Sequence, residues 1–345
     1  APIMPTPGAV GLIMKMVADL EGIEIVGVDI GGATTDVFSV FKGIFNRTVS
    51  ANLGMSYSIS NVFTEAGLEN IMRWVPFDID SRELRNRIKN KMIRPTTIPQ
   101  TLEELIIEQA IAREAIRLAF IQHKAFATTL KGVQRVKTVA EAFEQEATLT
   151  LVNMLSLNMI IGSGGILSHA PRRNQAAMML LDAFQPEGIT RLAVDSIFMM
   201  PQLGVLSTIH PKAAKEVFDK DCLIHLGTSI VPVGLEKEGK EILKYTINFE
   251  DGRSEKGILK FGEMRVYELG VGNKATVTLE PARGFDIGQG KGKKIENEKV
   301  YGGVVGIIFD GRGRPLKLPE DKGLRISKLK EWFRIMNLYP ESSLL

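Results

Sequence analysis

The stretch VGVDIGGATTDVFSV, residues 26–40, decides how this chain folds. An apolar run reaches Asp29, passes Gly31 and Gly32, and turns apolar again after Thr34, Thr35 and Asp36. Two strand-like runs with so short a polar interval between them read as a hairpin with its tip at the glycines. Glycine has no Cβ, so its backbone can take positive φ and come close to a ligand. Successive amide N–H groups in such a turn form an anion-binding concavity, and the Thr34 and Thr35 hydroxyls suit phosphate oxygens. Asp29, at the strand end, is placed to hold a magnesium ion through water or to orient a water. Asp36 could act in the same way or cap the turn. The plain alternative is a tight hairpin that uses Gly, Thr and Asp as turn residues and binds nothing.

A second glycine turn, MIIGSGGILSHAP (159–171), also follows an apolar run and leads toward a helix. Gly164 and Gly165 would let the backbone lie flat against a planar group or a sugar, with Ser163 free to hydrogen-bond. On its own this is a weak signal.

Working outward, residues 9–20 form an amphipathic helix with Pro7 near its start. IEIVGVDI and TTDVFSVFKG are strands, and NRTVSANLGMSYSISNVFTEAG is a strand, a polar turn and a helix entered near Ser60. From about 61 to 150 the character is helical. Thr101 and Glu104 fit a capping box ahead of a long amphipathic helix. RRNQAAMMLLDAF is a further helix, and ITRLAVDS and CLIHLGTSIVPVG are strands. Beyond 235, KYTINF, GILKFGEMRVYEL, ATVTLEP and VVGIIFD alternate with glycine-rich or charged turns. They predict a small all-β module, closed by a helix that packs Trp332 and Phe333.

The 345 residues suggest two or three domains, and 44% hydrophobic with 24% charged residues is an ordinary globular composition. A net charge of +3 gives no general case for nucleic acid. The single cysteine, Cys222, excludes an intramolecular disulfide and points to the reducing cytoplasm. No run approaches the ~18 apolar residues of a membrane span. The opening segment has no basic stretch ahead of its apolar part, unlike a secretory signal.

The order of the two glycine turns, with a helical insertion between them, resembles the actin, sugar-kinase and 70-kDa heat-shock ATPase superfamily. DIGGATTD stands where that pattern has Asp, three glycines, two threonines and Asp, with Ala33 in place of the third glycine. DSIFMMPQLGVLS is similar to that lobe's connecting helix, with Gly204 at the crossing. VDIGGATTDVFSV, ANLGMSYSISN, EQAIAREAIRLA, NMIIGSGGILSHAP and VDSIFMMPQLGVLS together resemble the glutamate mutase accessory protein (L protein) family, from about residue 3 to 234. GVVGIIFDGRGRPLKLP looks like an extension of longer members.

The resemblance implies an α/β fold. An actin/ribonuclease H-like lobe would occupy 1–60 and 151–234, a helical subdomain 61–150, and a β-rich module with a terminal helix 235–345. It implies an ATP-dependent chaperone that reactivates an adenosylcobalamin-dependent mutase, with ATP/ADP and Mg²⁺ as cofactors. Asp29, Gly31, Gly32, Thr34 and Thr35 would then meet phosphates and metal, Gly164 and Gly165 the adenosine, with Ser163 a weaker transfer. The superfamily's first lobe has no counterpart ahead of Gly27, so it is expected either upstream or on another chain. A small-molecule kinase and a nucleotide-free scaffold are the alternatives.

Other features read more plainly. GFDIGQGKGKKIENEK fails phosphate-loop spacing and predicts a basic hairpin. The four histidines are too scattered for a metal site, and His169 follows the second glycine turn. SRELRNRIKNKMIRP carries Arg82, Arg85, Arg87, Lys89, Lys91 and Arg94 against one glutamate. Without interleaved aromatics it favours a solvated helix face over a nucleic-acid grip.

Overall fold

A computed structural model describes residues 4–128 and 150–343, and the end of the expected helical stretch, 129–149, lies outside them. Helix α1 (Thr6–Glu21) has a proline in its first turn and ends on Gly22 in the left-handed conformation, φ 65°. Strands β1 (Ile25–Ile30), β2 (Thr35–Phe41) and β3 (Ile44–Ser50) follow. Then come helices α2 (Ile59–Ala66), α3 (Leu68–Met72), α4 (Ser81–Ile93) and α5 (Leu102–Phe126). Next are β4 (Met159–Ser163), α6 (Gly165–Ser168), α7 (Arg173–Phe184) and β5 (Gly188–Asp195). Helices α8 (Met200–Ser207) and α9 (Pro211–Val217) precede β6 (Leu223–Val231). Strands β7 (Glu241–Phe249), β8 (Ser254–Lys260), β9 (Met264–Tyr267), β10 (Lys274–Pro281), β11 (Ile295–Tyr301) and β12 (Gly306–Asp310) come next. Helix α10 (Lys322–Ile335) follows them.

The chain divides into two compact units. The first comprises 1–153, 161–169 and 195–223. Its strands run in the order β3-β2-β1-β4. β1 and β2 are antiparallel with Ile30 opposite Thr35, which places the hairpin tip at the glycines as the sequence predicts. Ile25, Val26, Val28 and Ile30 are buried, and each such side chain contributes roughly 1.5–3 kcal/mol. Helix α1 crosses α8 at Gly204, where a Cβ would lie 1.8 Å from the Ala9 carbonyl oxygen. Only glycine allows so close a crossing, and the sequence places Gly204 there. Helix α5 starts at the expected capping box: Glu104 N–H donates to Thr101 Oγ1, and the Glu104 carboxylate accepts from Thr101 N–H.

The second unit comprises 154–160, 170–194 and 224–345. It contains a mixed sheet in the order β5-β6-β12-β9 and a separate four-stranded antiparallel sheet, β11-β10-β7-β8. GILKFGEMRVYEL is two strands in different sheets. β8 pairs with β7, whereas β9 pairs antiparallel with β12, which itself runs parallel to β6. The Phe261–Glu263 turn separates them, and Gly262 within it has φ 89°. Ile242, Ile247, Leu259, Val277, Leu279 and Phe309 lie in this unit's apolar core. In α10, Trp332 and Phe333 are buried as expected, and Trp332 Nε1 donates to the Gly262 carbonyl at 2.9 Å.

Candidate functional site

The first unit brings both glycine turns to one place. Antiparallel register sets Asp29 directly opposite Asp36, so the two carboxylates share one face of the hairpin. Asp36 is engaged by Arg47 at 2.9 Å. Burial raises Asp29, and the neighbouring charges of Asp36 and Asp195 add to it, bringing its pKa to about 6. The Ser163 hydroxyl faces the Asp29 carboxylate and slightly opposes that rise, yet Ser163 Oγ is buried and completes no hydrogen bond of normal geometry.

The turn itself differs from the expected mechanism. Neither Gly31 nor Gly32 has positive φ. Gly31 N–H donates to Thr34 O at 2.9 Å, closing the turn. The amides of Gly32, Ala33 and Thr34 donate to no backbone acceptor among the described residues, leaving three successive donors. Thr35 is fully buried, and its hydroxyl donates to the Leu53 carbonyl. Thr34 is partly exposed. So Thr34, Gly32 and the Ala33 amide face outward chemistry, while Gly31 and Thr35 hold the turn together.

The turn is braced by residues 53–58. Met55 N–H donates to Gly31 O at 3.0 Å and Ser56 N–H to Gly32 O at 2.9 Å. A Cβ on Gly54 would fall 2.4–2.5 Å from Ala33 backbone atoms. Gly54 is therefore a supporting residue that a reading of the hairpin alone misses. Its signal was available in the polar loop ANLGMSYSISN.

The second glycine turn approaches β1 through its backbone. Gly164 has φ 97°, and a Cβ there would lie 2.1 Å from Ile30 O. Gly165 is exposed with open space around it. His169 is exposed at the end of α6.

Asp195, at the end of β5, is a site residue the sequence reading did not single out. It is buried; its Oδ1 accepts from Ile197 N–H at 3.2 Å and Phe198 N–H at 3.0 Å, and its Oδ2 has no partner. Burial raises its proton affinity against those backbone hydrogen bonds. Phe198 takes φ 55°, an unusual conformation for an aromatic residue, under that carboxylate's hold. Cys222 lies just before β6, buried, and burial raises its thiol pKa to about 11, so it is an inert core group.

Among the described residues no group of three or more His, Cys, Asp or Glu side chains could hold a metal ion. Nor is any helix there long and apolar enough to cross a membrane.

These features define a mixed α/β protein whose first unit carries a braced, carboxylate-flanked glycine turn. Residues 1–222 match the model of the MutL protein family, and the chain belongs to that family. A curated relative, Protein MutL of Clostridium tetanomorphum, is 24% identical over 245 residues, which cover 63% of this chain and 50% of the relative. The chain thus spans about half the length of that relative.

Proposed function

We propose that this chain is part of a glutamate mutase accessory protein, an ATP-dependent chaperone that reactivates its adenosylcobalamin-dependent client. Family membership supports the mutase association. The observation that carries the nucleotide reading is the run of three free amides, Gly32 to Thr34, beside the Asp29 carboxylate. Amides bind phosphate oxygens without adding net charge. The strand order β3-β2-β1-β4 is compatible with an actin/ribonuclease H-like lobe.

The residues fit magnesium only as part of a nucleotide complex. No three-carboxylate cage exists among the described residues, but Mg²⁺ is commonly held by one or two carboxylates together with substrate phosphates and waters. Asp29 would be that carboxylate, and the orphaned Ser163 and Asp195 oxygens are suited to hydrogen-bond metal-bound water. Bound there, the ion would neutralise phosphate charge. Asp29 then positions it, Gly32 to Thr34 hold the anion, and the Gly164–Gly165 backbone offers a flat face to the nucleoside. A first lobe, on the same polypeptide or another, would complete the clamp. The reducing cytoplasm is the compartment this reading assumes.

A scaffold that binds no nucleotide is the second reading, favoured by the internal commitment of the Gly31 amide and the Thr35 hydroxyl. Titration calorimetry with MgATP and MgADP separates the two. This chain alone, holding half of the clamp, should bind weakly. Joined to its first lobe it should bind measurably, and that binding should fall about tenfold or more in Asp29→Asn, a loss of roughly 1.4 kcal/mol. Binding by the two-lobe protein that is absent, or untouched by the substitution, would sink the nucleotide reading. Recovery of activity by inactivated glutamate mutase, with and without ATP, tests the chaperone role.

A further inference from the structure

We infer that Ser56 sets the specificity of the glycine-turn site, its hydroxyl holding the outermost phosphoryl group of a nucleoside triphosphate. This rests on the nucleotide reading and adds to it a preference for triphosphate over diphosphate.

The starting point is Gly32. Its φ is not positive, so backbone conformation does not require glycine there. Room does. A Cβ on Gly32 would lie 3.3 Å from Ser56 Cβ, 3.4 Å from Ser56 Oγ and 3.7 Å from Tyr57 Cδ2. A longer side chain would have to displace both residues. Ser56 is fixed in place by its own amide, which donates to Gly32 O at 2.9 Å. Its hydroxyl has no hydrogen-bond partner among the described residues. Nor has the hydroxyl of Tyr57, a residue 70% exposed. These free hydroxyls stand beside the three free amides of Gly32, Ala33 and Thr34. The wall they form offers donors and no carboxylate. Residues 53–58 carry no charged side chain, and the first turn of α2 has no acidic one. Neutral donors gathered in this way suit the oxygens of a phosphoryl group.

Strand order says which phosphoryl group. Gly164, just after β4, meets Ile30 O at the end of β1. Ser50, the last residue of β3, lies opposite Thr35 at the start of β2. Across this end of the sheet the order β4-β1-β2-β3 therefore sets Gly164–Gly165 first, then the turn at 31–34, then the loop at 53–58. Three strand spacings, roughly 14 Å, separate the outer two. A nucleotide with its nucleoside on Gly164–Gly165 and its inner phosphates on the turn would bring its last phosphate to Ser56. A diphosphate would end at the turn.

The test is titration calorimetry on the two-lobe protein, with MgADP and a non-hydrolysable analogue of MgATP as probes. Ser56→Ala keeps the Cβ and the backbone bond to Gly32 O, so circular dichroism should show an unchanged fold. The native protein should bind the triphosphate more tightly than MgADP. Ser56→Ala should weaken the triphosphate about tenfold and leave MgADP within about twofold. Ser56→Asp, which sets a carboxylate against the last phosphate, should weaken the triphosphate further still. Equal native affinity for the two nucleotides, equal losses of both in Ser56→Ala, or an undiminished triphosphate would overturn this role and leave the nucleotide reading standing. A native two-lobe protein that binds neither nucleotide would overturn both.

Discussion

The two glycines of the second turn look alike in sequence and differ in what the backbone asks of them. Gly164 is held at φ 97° with Ile30 O where its Cβ would go, whereas Gly165 has open space and an ordinary φ. Gly164→Ala should therefore cost about 3 kcal/mol or more. Gly165→Ala, at the start of a helix, should change stability by less than about 1 kcal/mol. Urea denaturation of the two variants checks this, and equal losses would refute the assignment. Sequence alone suggested a close approach of this backbone to a ligand, whereas the one the structure shows is to β1. It could not say which glycine made it, because that depends on how β4 lies against β1. Asp29 was legible for the same reason that Asp195 was not. Asp29 sits beside glycines in one short motif, while Asp195 reaches the site only through the fold. Thr35 and Gly31 read as ligand donors, but the Thr35 hydroxyl donates to the distant Leu53 carbonyl and the Gly31 amide closes the turn locally on Thr34 O.

At the level of elements, α5 is the frame on which the helical region is built. Glu114, fully buried on it, accepts from Trp74 Nε1 at 2.7 Å, Arg73 Nη2 at 2.6 Å and Arg117 Nη2 at 2.7 Å. Glu114→Ala would leave the indole N–H without an acceptor and two guanidiniums without their anion. We expect a loss of about 3 kcal/mol. Thr101→Ala, which removes only the exposed cap, should cost about 1 kcal/mol. If chemical denaturation ranks these two the other way, Glu114 is not the keystone of the region. The cap was readable from Thr101 and Glu104 because capping is local. The Glu114 cluster was not, since Arg73 and Trp74 lie some forty residues away in the chain. Likewise, the tail's alternation identified strands but could not assign them to sheets, so β8 and β9 read as one.

Across the whole molecule, acid should act through different groups in the two units. In the first, His123 is buried, with Nε2 2.7 Å from Ser39 Oγ and Nδ1 3.0 Å from Thr48 Oγ1. Burial lowers its pKa from 6.5 to about 4. Between those values the unfolded chain binds the proton and the folded one does not. Stability is therefore lost as pH falls from about 6.5, by up to about 3 kcal/mol near pH 4. In the second unit, burial pushes the Asp310 carboxyl up, but Arg312 and Arg314 overcome this and hold it well below the usual carboxylate range. Arg312 also binds Asp182 at 2.7 Å. That stabilisation persists above the ordinary value of 3.8 and is lost only as pH falls below it. Asp29, raised from 3.8 to about 6, acts in the opposite sense, because there the folded chain binds the proton first and gains stability as pH falls. Relative to the native chain, urea midpoints of His123→Gln, which keeps a hydrogen-bonding side chain without the imidazole, should therefore fall less or rise more from pH 7 to 4. A slope unchanged by the substitution would remove His123 from the account.

The placement of the chain's two tryptophans offers a practical gain. Trp74 is buried in the first unit and Trp332 in the second. Each compact unit thus carries its own intrinsic fluorophore. Replacing either one with phenylalanine leaves a single-colour reporter for the remaining unit, without an added dye. Emission from Trp74 would follow the Glu114 cluster of the helical region, and emission from Trp332 would follow the Asp310–Arg312 cluster, whose guanidinium lies 5.2 Å from its ring. Ligand, acid and denaturant responses could then be separated by wavelength and intensity alone.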